Sequence, residues 1–187
     1  EFGVALHELR LDEVMAGREK FKDKIPFLKA FGRKTFRQVF KDYIFFPLIA
    51  GPAWLPVMLG NLIANLIRNL WTSTIIFCGH FPDEVEVFTE QECESESAGH
   101  WYYRQLLGSA NFNGSNLLHV LSGHLSLQIE HHLFPTIPAH RYKEIAPQVE
   151  AVAKKYDLPY NQKPFLTQYK TVVKRILKHS LPEFLSF

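Results

Sequence analysis

The run from Tyr43 to Phe81, YIFFPLIAGPAWLPVMLGNLIANLIRNLWTSTIIFCGHF, constrains this chain more than any other stretch. It is apolar apart from Asn61, Asn65, Arg68, Asn69, some hydroxyls and His80. It is long enough for two helices, broken around Pro52 to Gly60, and the part from Asn61 to Phe81 has the length of a bilayer crossing, ~20 residues. The first half is short and rich in proline, which suits an oblique or re-entrant segment. The residues before it, 12–42, carry nine Lys and Arg interleaved with Phe at helical spacing. That pattern predicts a basic, amphipathic, interfacial segment on the cytoplasmic side, with Tyr43, Trp54 and Trp71 as an aromatic belt.

Composition agrees with apolar surface that a domain of 187 residues would struggle to bury: 47% of residues are hydrophobic and 14% aromatic, with 16 Phe. A formal net charge of +2 argues against a disordered chain and against a nucleic-acid binder. Cys78 and Cys93 form no CxxC pair and no disulfide framework, as in a reducing compartment. No Gly-rich phosphate loop and no GxSxG stands in the sequence, so nucleotide binding and serine hydrolysis have no support. The chain opens EFGVALHELRLDEV, without Met and in the middle of an apolar pattern, and is expected to be a portion of a longer protein.

Inside the apolar run the polar residues are aligned. At about 100° per residue, Asn61, Asn65, Arg68, Asn69 and Thr72 share roughly a 100° arc with His80 at its edge. In hydrocarbon such a stripe must face protein or a water-filled cavity. A helix-packing seam and a functional lining are both open for the asparagines, and His80 reads as functional. Residues 82–112 form an acidic loop and then an aromatic segment. Residues 113–134 read as one helix with Asn113 or Ser115 as N-cap, closed by Pro135 and Pro138. Beyond it a polar helical pattern alternates with prolines, giving 82–187 the look of a cytosolic helical region.

Histidine is the anomaly: seven of the nine lie between His80 and His140. With Gln128 as zero on a helical wheel, His124 falls near ~−40°, His131 near ~−60° and His132 near ~+40°, so four potential ligands share one face. Glu130 and His119 fall near the opposite side. Adjacent histidines diverge by about 100° and can reach two metal ions or two sides of one. Imidazole-rich sites suit Fe, Zn or Cu, and a bridged pair of ions draws ligands from more than one helix. Packed or merely pH-sensitive histidines are the alternative.

At this point the residues resemble a known family. QIEHHLFPTIPAHRY, Gln128 to Tyr142, resembles the third histidine box of the integral-membrane fatty acid desaturases, in the Gln-x-x-His-His form of the front-end and linoleoyl-CoA-type branch. SGHLSLQIEHHLFP is similar to that branch throughout. The likeness continues through LIRNLWTSTIIFCGHFPD at 66–83, RQLLGSANF at 104–112 and YDLPY at 156–160.

The resemblance implies an all-α fold with about two hydrophobic segments of a four-transmembrane-helix architecture, the active-site side facing the cytoplasm. It implies two non-haem iron ions and O2, removing two hydrogens from an acyl-CoA or acyl-lipid chain to make a cis double bond. Electrons would come from a ferredoxin or b5-type cytochrome with its reductase. Carried over, His131 and His132 are expected as iron ligands and Gln128 as a ligand or a supporting group. His80 is expected as the isolated histidine that joins from outside the boxes, and His124 as a further site residue of the SGHL form; the geometry of the polar stripe, rather than the resemblance, suggests Arg68 or an asparagine as support for a ligand or water. The family's first two boxes, of HxxxH and HxxHH form, do not occur here, and His7 stands alone, so this chain by itself is expected to lack a competent di-iron site. A di-iron lipid hydroxylase and a non-catalytic membrane-associated helical module are the other readings.

Overall fold

A computed structural model describes residues 14, 18, 20–94 and 96–180. His7 and the first part of the basic segment lie outside the described residues. The chain divides into two compact units, Glu1–Ile67 and Arg68–Phe187.

In the first unit, helix α1 (Phe21–Phe40) continues into a π-helical turn (Lys41–Phe45), a short α2 (Phe46–Ile49) and a 3-10 turn (Gly51–Ala53). Gly51, at φ +56°, ends α2, and α3 (Trp54–His80) begins directly after. The break in the apolar run is therefore narrower than its prolines and glycines suggest, and Gly60 lies inside α3. Asp42 is buried in the π-helical turn. Its carbonyl accepts from Asn61 Nδ2 at 2.6 Å, and its carboxylate accepts from Asn65 Nδ2 at 3.1 Å and from Gln38. Asn65 also lies 3.2 Å from the Tyr43 hydroxyl. Of the two readings of the polar stripe, the packing seam describes Asn61 and Asn65: their amides satisfy an acid that the sequence pattern did not single out.

Among the described residues no helix is long and apolar enough to cross a membrane, which corrects the reading of 61–81 as a crossing. Length is not the shortfall, since α3 has 27 residues and at ~1.5 Å each exceeds the ~30 Å hydrocarbon thickness. Apolarity is: Asn61, Asn65, Arg68, Asn69 and Thr72 interrupt its middle.

The second unit holds the rest of α3 with α4 (Glu90–Glu94), α5 (Ala98–Leu107), β1 (Asn111–Asn113), α6 (Asn116–Leu121), α7 (Gln128–Leu133), α8 (Tyr142–Lys155), β2 (Gln162–Pro164) and α9 (Phe165–Ser180). Helices dominate, as expected. Ser97 and Ser115 cap α5 and α6, accepting from His100 N and Leu118 N. The two strands pair in parallel, Asn111 opposite Gln162 and Asn113 opposite Pro164. Phe112 on β1 joins Ile75, Cys78 and Val172 in the core, with Trp71, Leu118, Leu125 and Phe165 against it. The C-terminal part of α3 thus buries its apolar face in protein, and Trp71 Nε1 donates to the Leu121 carbonyl at 2.9 Å. Pro147 lies inside α8 and does not break it.

The expected helix over 113–134 is two helices. α6 stops at Leu121 in a Schellman arrangement: His124 N donates to His119 O at 2.7 Å and Gly123 N to Val120 O at 3.0 Å. Gly123 and His124 have φ of 61° and 62°, so the backbone reverses before α7 begins. α7 has six residues, and its N-cap, Leu127, offers no side-chain acceptor. A distant residue supplies one: Asn111 Oδ1 accepts from Ile129 N at 2.9 Å. The Asn111 amide then donates to Glu130 Oε2 at 2.8 Å and to the Tyr160 hydroxyl at 2.9 Å, and Tyr160 donates to Glu130 Oε1 at 2.8 Å.

Asn111→Ala removes three bonds at once and leaves a buried carboxylate short of a donor, so it should lower unfolding free energy by ~2–4 kcal/mol. Urea denaturation measures this; a loss under ~1 kcal/mol would mean that the brace carries little.

Candidate functional site

Two elements bring the imidazoles together, the last residue of α3 and the face of α7. The His80 and His132 ring centroids are 5.1 Å apart at 73°, and those of His131 and His132 are 5.7 Å apart at 85°. Gln128, 5% exposed, lies beside them: its Nε2 is 3.2 Å from His80 Nε2. The Gly108 backbone accepts a hydrogen bond from the His80 ring. Gly79 permits this approach of α3 to α7, because a Cβ there would stand 3.0 Å from Gln128 Cγ and 3.3 Å from its Cβ and Cδ.

Both α7 histidines are held through Nδ1. His131 Nδ1 lies 3.1 Å from the hydroxyl of Tyr142, itself 2% exposed, and His132 Nδ1 lies 3.1 Å from Gln105 Oε1. An amide oxygen only accepts, so the His132 Nδ1–H donates and its Nε2 carries a lone pair. Burial, and then the neighbouring His80 and His131, pushes the His132 pKa down to about 4. This ring is neutral at pH 7, the form in which imidazole binds a metal.

The other candidates lie elsewhere. His124 is in the turn before α7, so the wheel that aligned it with His131 does not apply. Its Nδ1 is buried without a partner. It neighbours His119, whose Nδ1 lies 2.6 Å from Ser126 Oγ and whose pKa is lowered by burial, then by Lys143 and His124. Glu130 is 0% exposed and faces Asn111 and Tyr160, away from the histidine face as the wheel predicts. Arg68 and Asn69 are exposed on α3. Among the described residues, no group of three or more His, Cys, Asp or Glu side chains is arranged to hold a metal ion.

Gln105, Tyr142 and Gly79 were not marked as site residues by spacing. Gln105 and Gly79 fall within stretches that carry the family likeness, RQLLGSANF and LIRNLWTSTIIFCGHFPD, and Tyr142 closes QIEHHLFPTIPAHRY. That likeness was the one signal available. Leu133 and Phe134, immediately after the histidines, line an open apolar groove of about 690 Å3 with Tyr102, Tyr103, Ile137 and Val149.

The sequence profile of the fatty acid desaturase family matches residues 4–164. The chain belongs to the fatty acid desaturase family. It is 44% identical over 187 residues to the NADPH-dependent stearoyl-CoA 9-desaturase of Mycobacterium tuberculosis, an alignment covering 98% of this chain and 44% of that protein. It is 35% identical over 114 residues to fatty acid desaturase 3 of Bos taurus, covering 61% of this chain and 24% of the relative. The human fatty acid desaturase 3 is 34% identical over 122 residues, covering 65% and 26%. The chain thus spans less than half the length of these relatives. No solved structure matches it.

Two outcomes follow from this geometry. Gly79→Ala should push Gln128 off His80, read as a changed His80 ring environment by NMR with helix content retained; an unchanged His80 signal would contradict the close approach. His132 and His119 titrate below the ordinary value of 6.5, so the unfolded chain takes up protons that the folded chain refuses. Their contribution to stability is complete above about pH 6.5 and is lost as pH falls towards 4, at up to ~1.4 kcal/mol per pH unit for each proton. Urea midpoints at pH 7.5 and pH 5 measure this; equal midpoints would contradict it.

Proposed function

We propose that this chain forms part of an O2-dependent di-iron fatty acid desaturase, with His80, His131 and His132 among the iron ligands. The observation that carries the proposal is the gathering of three imidazoles, with ring centroids 5.1 and 5.7 Å apart, on a chain whose next two residues, Leu133 and Phe134, line an apolar groove. Imidazole donors suit iron. The three rings do not close a site alone, so the remaining ligands would come from outside the described residues. Iron held there would supply the O2-activating redox chemistry that no side chain has.

What this chain's own residues contribute is binding and orientation. His131 and His132 present two divergent directions from one helix turn, Gln128 supports His80, and Leu133 and Phe134, the next two residues, line the groove. An acyl chain is the ligand such a groove fits. The name of the mycobacterial relative favours an acyl-CoA over an acyl-lipid, and NADPH as the source of electrons, delivered through a reductase with a ferredoxin or b5-type carrier.

The first unit by itself suits a bilayer surface. α1 exposes Phe21, Ile25, Phe36 and Val39 next to Lys22, Lys29, Arg33 and Arg37. Apolar residues flanked by cations are what an interfacial helix needs.

In the full-length protein, His131→Ala or His132→Ala should abolish O2-dependent double-bond formation and lower bound iron, while His119→Ala keeps both. Gas chromatography of product fatty acids and metal analysis measure this, and full activity in His132→Ala would overturn the ligand assignment. For the surface, the double substitution Arg33→Gln with Arg37→Gln should weaken partition into phosphatidylglycerol vesicles by ~2 kcal/mol, about 30-fold, and leave binding to phosphatidylcholine unchanged. Equal loss on both vesicles would argue against a charge-driven contact.

A further inference from the structure

We infer that Gln105 and Tyr142 are positioning residues: Gln105 holds His132 as its Nδ1–H tautomer, so that this ring presents an unprotonated Nε2, and Tyr142 fixes the orientation of the neighbouring His131 ring. The inference rests on the proposed metal reading for its purpose, but its geometry stands apart from it. Free imidazole side chains favour the Nε2–H form, which would turn a proton towards any metal. A ring in the opposite form needs an acceptor on the far nitrogen, and the neighbouring ring a partner that fixes its orientation.

The fold supplies both from separate elements. Gln105 reaches His132 from α5, and α5 is fixed there: Leu106 and Leu107 are buried, and the Gln105 carbonyl accepts from Ser109 Oγ at 2.6 Å. The amide oxygen, an acceptor alone, selects Nδ1–H on His132. Tyr142 reaches His131 as the first residue of α8, with the hydroxyl at 3.1 Å and the ring centroids 5.9 Å apart. A hydroxyl can accept from Nδ1–H or donate to a bare Nδ1, so Tyr142 fixes the orientation of the His131 ring without selecting its tautomer. Burial of Tyr142 leaves this phenol no freedom to leave the ring. The two rings are thus oriented independently, one by an amide and one by a phenol, although they are adjacent in sequence.

Long-range 1H–15N correlation spectra of the metal-free, 15N-labelled full chain read the tautomers directly. The His132 ring should be in the Nδ1–H form. Gln105→Leu should move His132 to the Nε2–H form, Gln105→Glu should keep it Nδ1–H, and Tyr142→Phe should change the His131 ring signals and leave the His132 tautomer as it is. In the full-length protein, Gln105→Leu should weaken iron binding ~10–100-fold, with Gln105→Glu restoring it. An Nε2–H His132 ring in the unsubstituted chain, a reading that needs no variant, would overturn the inference, as would a His132 tautomer indifferent to Gln105. Should the tautomer respond as stated while His132→Ala keeps its iron, the metal reading falls and the orienting role of Gln105 is upheld.

Discussion

A carboxylate with 0% exposure, Glu130, is the point on which the second unit depends. Burying it raises its pKa, chiefly through lost hydration, and the donors Tyr160 and Asn111 oppose that rise. An unpaired carboxylate there would be expensive, so the three residues hold one another in place. They come from 19 and 30 positions away in the chain, and by meeting they tie α7 to β1 and to the segment that leads into β2. A helix of six residues has no stability of its own. α7 exists because Asn111 caps its first turn and Glu130 anchors it from behind.

With its back fixed, α7 can offer its front. His131 and His132 leave on the side away from Glu130, and Gly79 lets the end of α3 come close enough for His80 to join them. Gln105 and Tyr142 complete the support from α5 and α8. The site is therefore built from four helices, none of which brings more than one residue besides α7 itself and the Gly79–His80 end of α3. A buried polar network of this kind is either fully satisfied or a liability, and here it is satisfied around the histidines while His124, one turn earlier, is left with a buried Nδ1 unpaired.

Much of the candidate site was legible in the sequence because it is local: Gln128, His131 and His132 are close enough for helical spacing to place them on one face, and Glu130 opposite. His80 was legible through the family likeness and its place at the end of an apolar run. The break at Gly123 was misread, since the pattern of apolar residues runs through it and only the glycine signals the stop. Asp42, Gln105, Tyr142 and the β1–β2 pair escaped for a common reason. Their partners lie far along the chain, at separations of 19, 27, 11 and 49 residues or more, where periodicity carries no information. The bilayer crossing was overread: its length suited hydrocarbon, but its asparagines and Arg68 dilute it, and its last turns pack against Phe112 and Val172.

Native-state hydrogen exchange at Ile129 tests the account most directly. Its amide donates to a side chain 18 positions away, Asn111 Oδ1, in the first turn of a six-residue helix. If the buried brace holds α7, this amide exchanges as slowly as the core amides of α3, and Glu130→Ala releases it together with the amides of His131 and Phe134. Rapid exchange at Ile129 in the unsubstituted chain, at the rate of a frayed helix end, would contradict it.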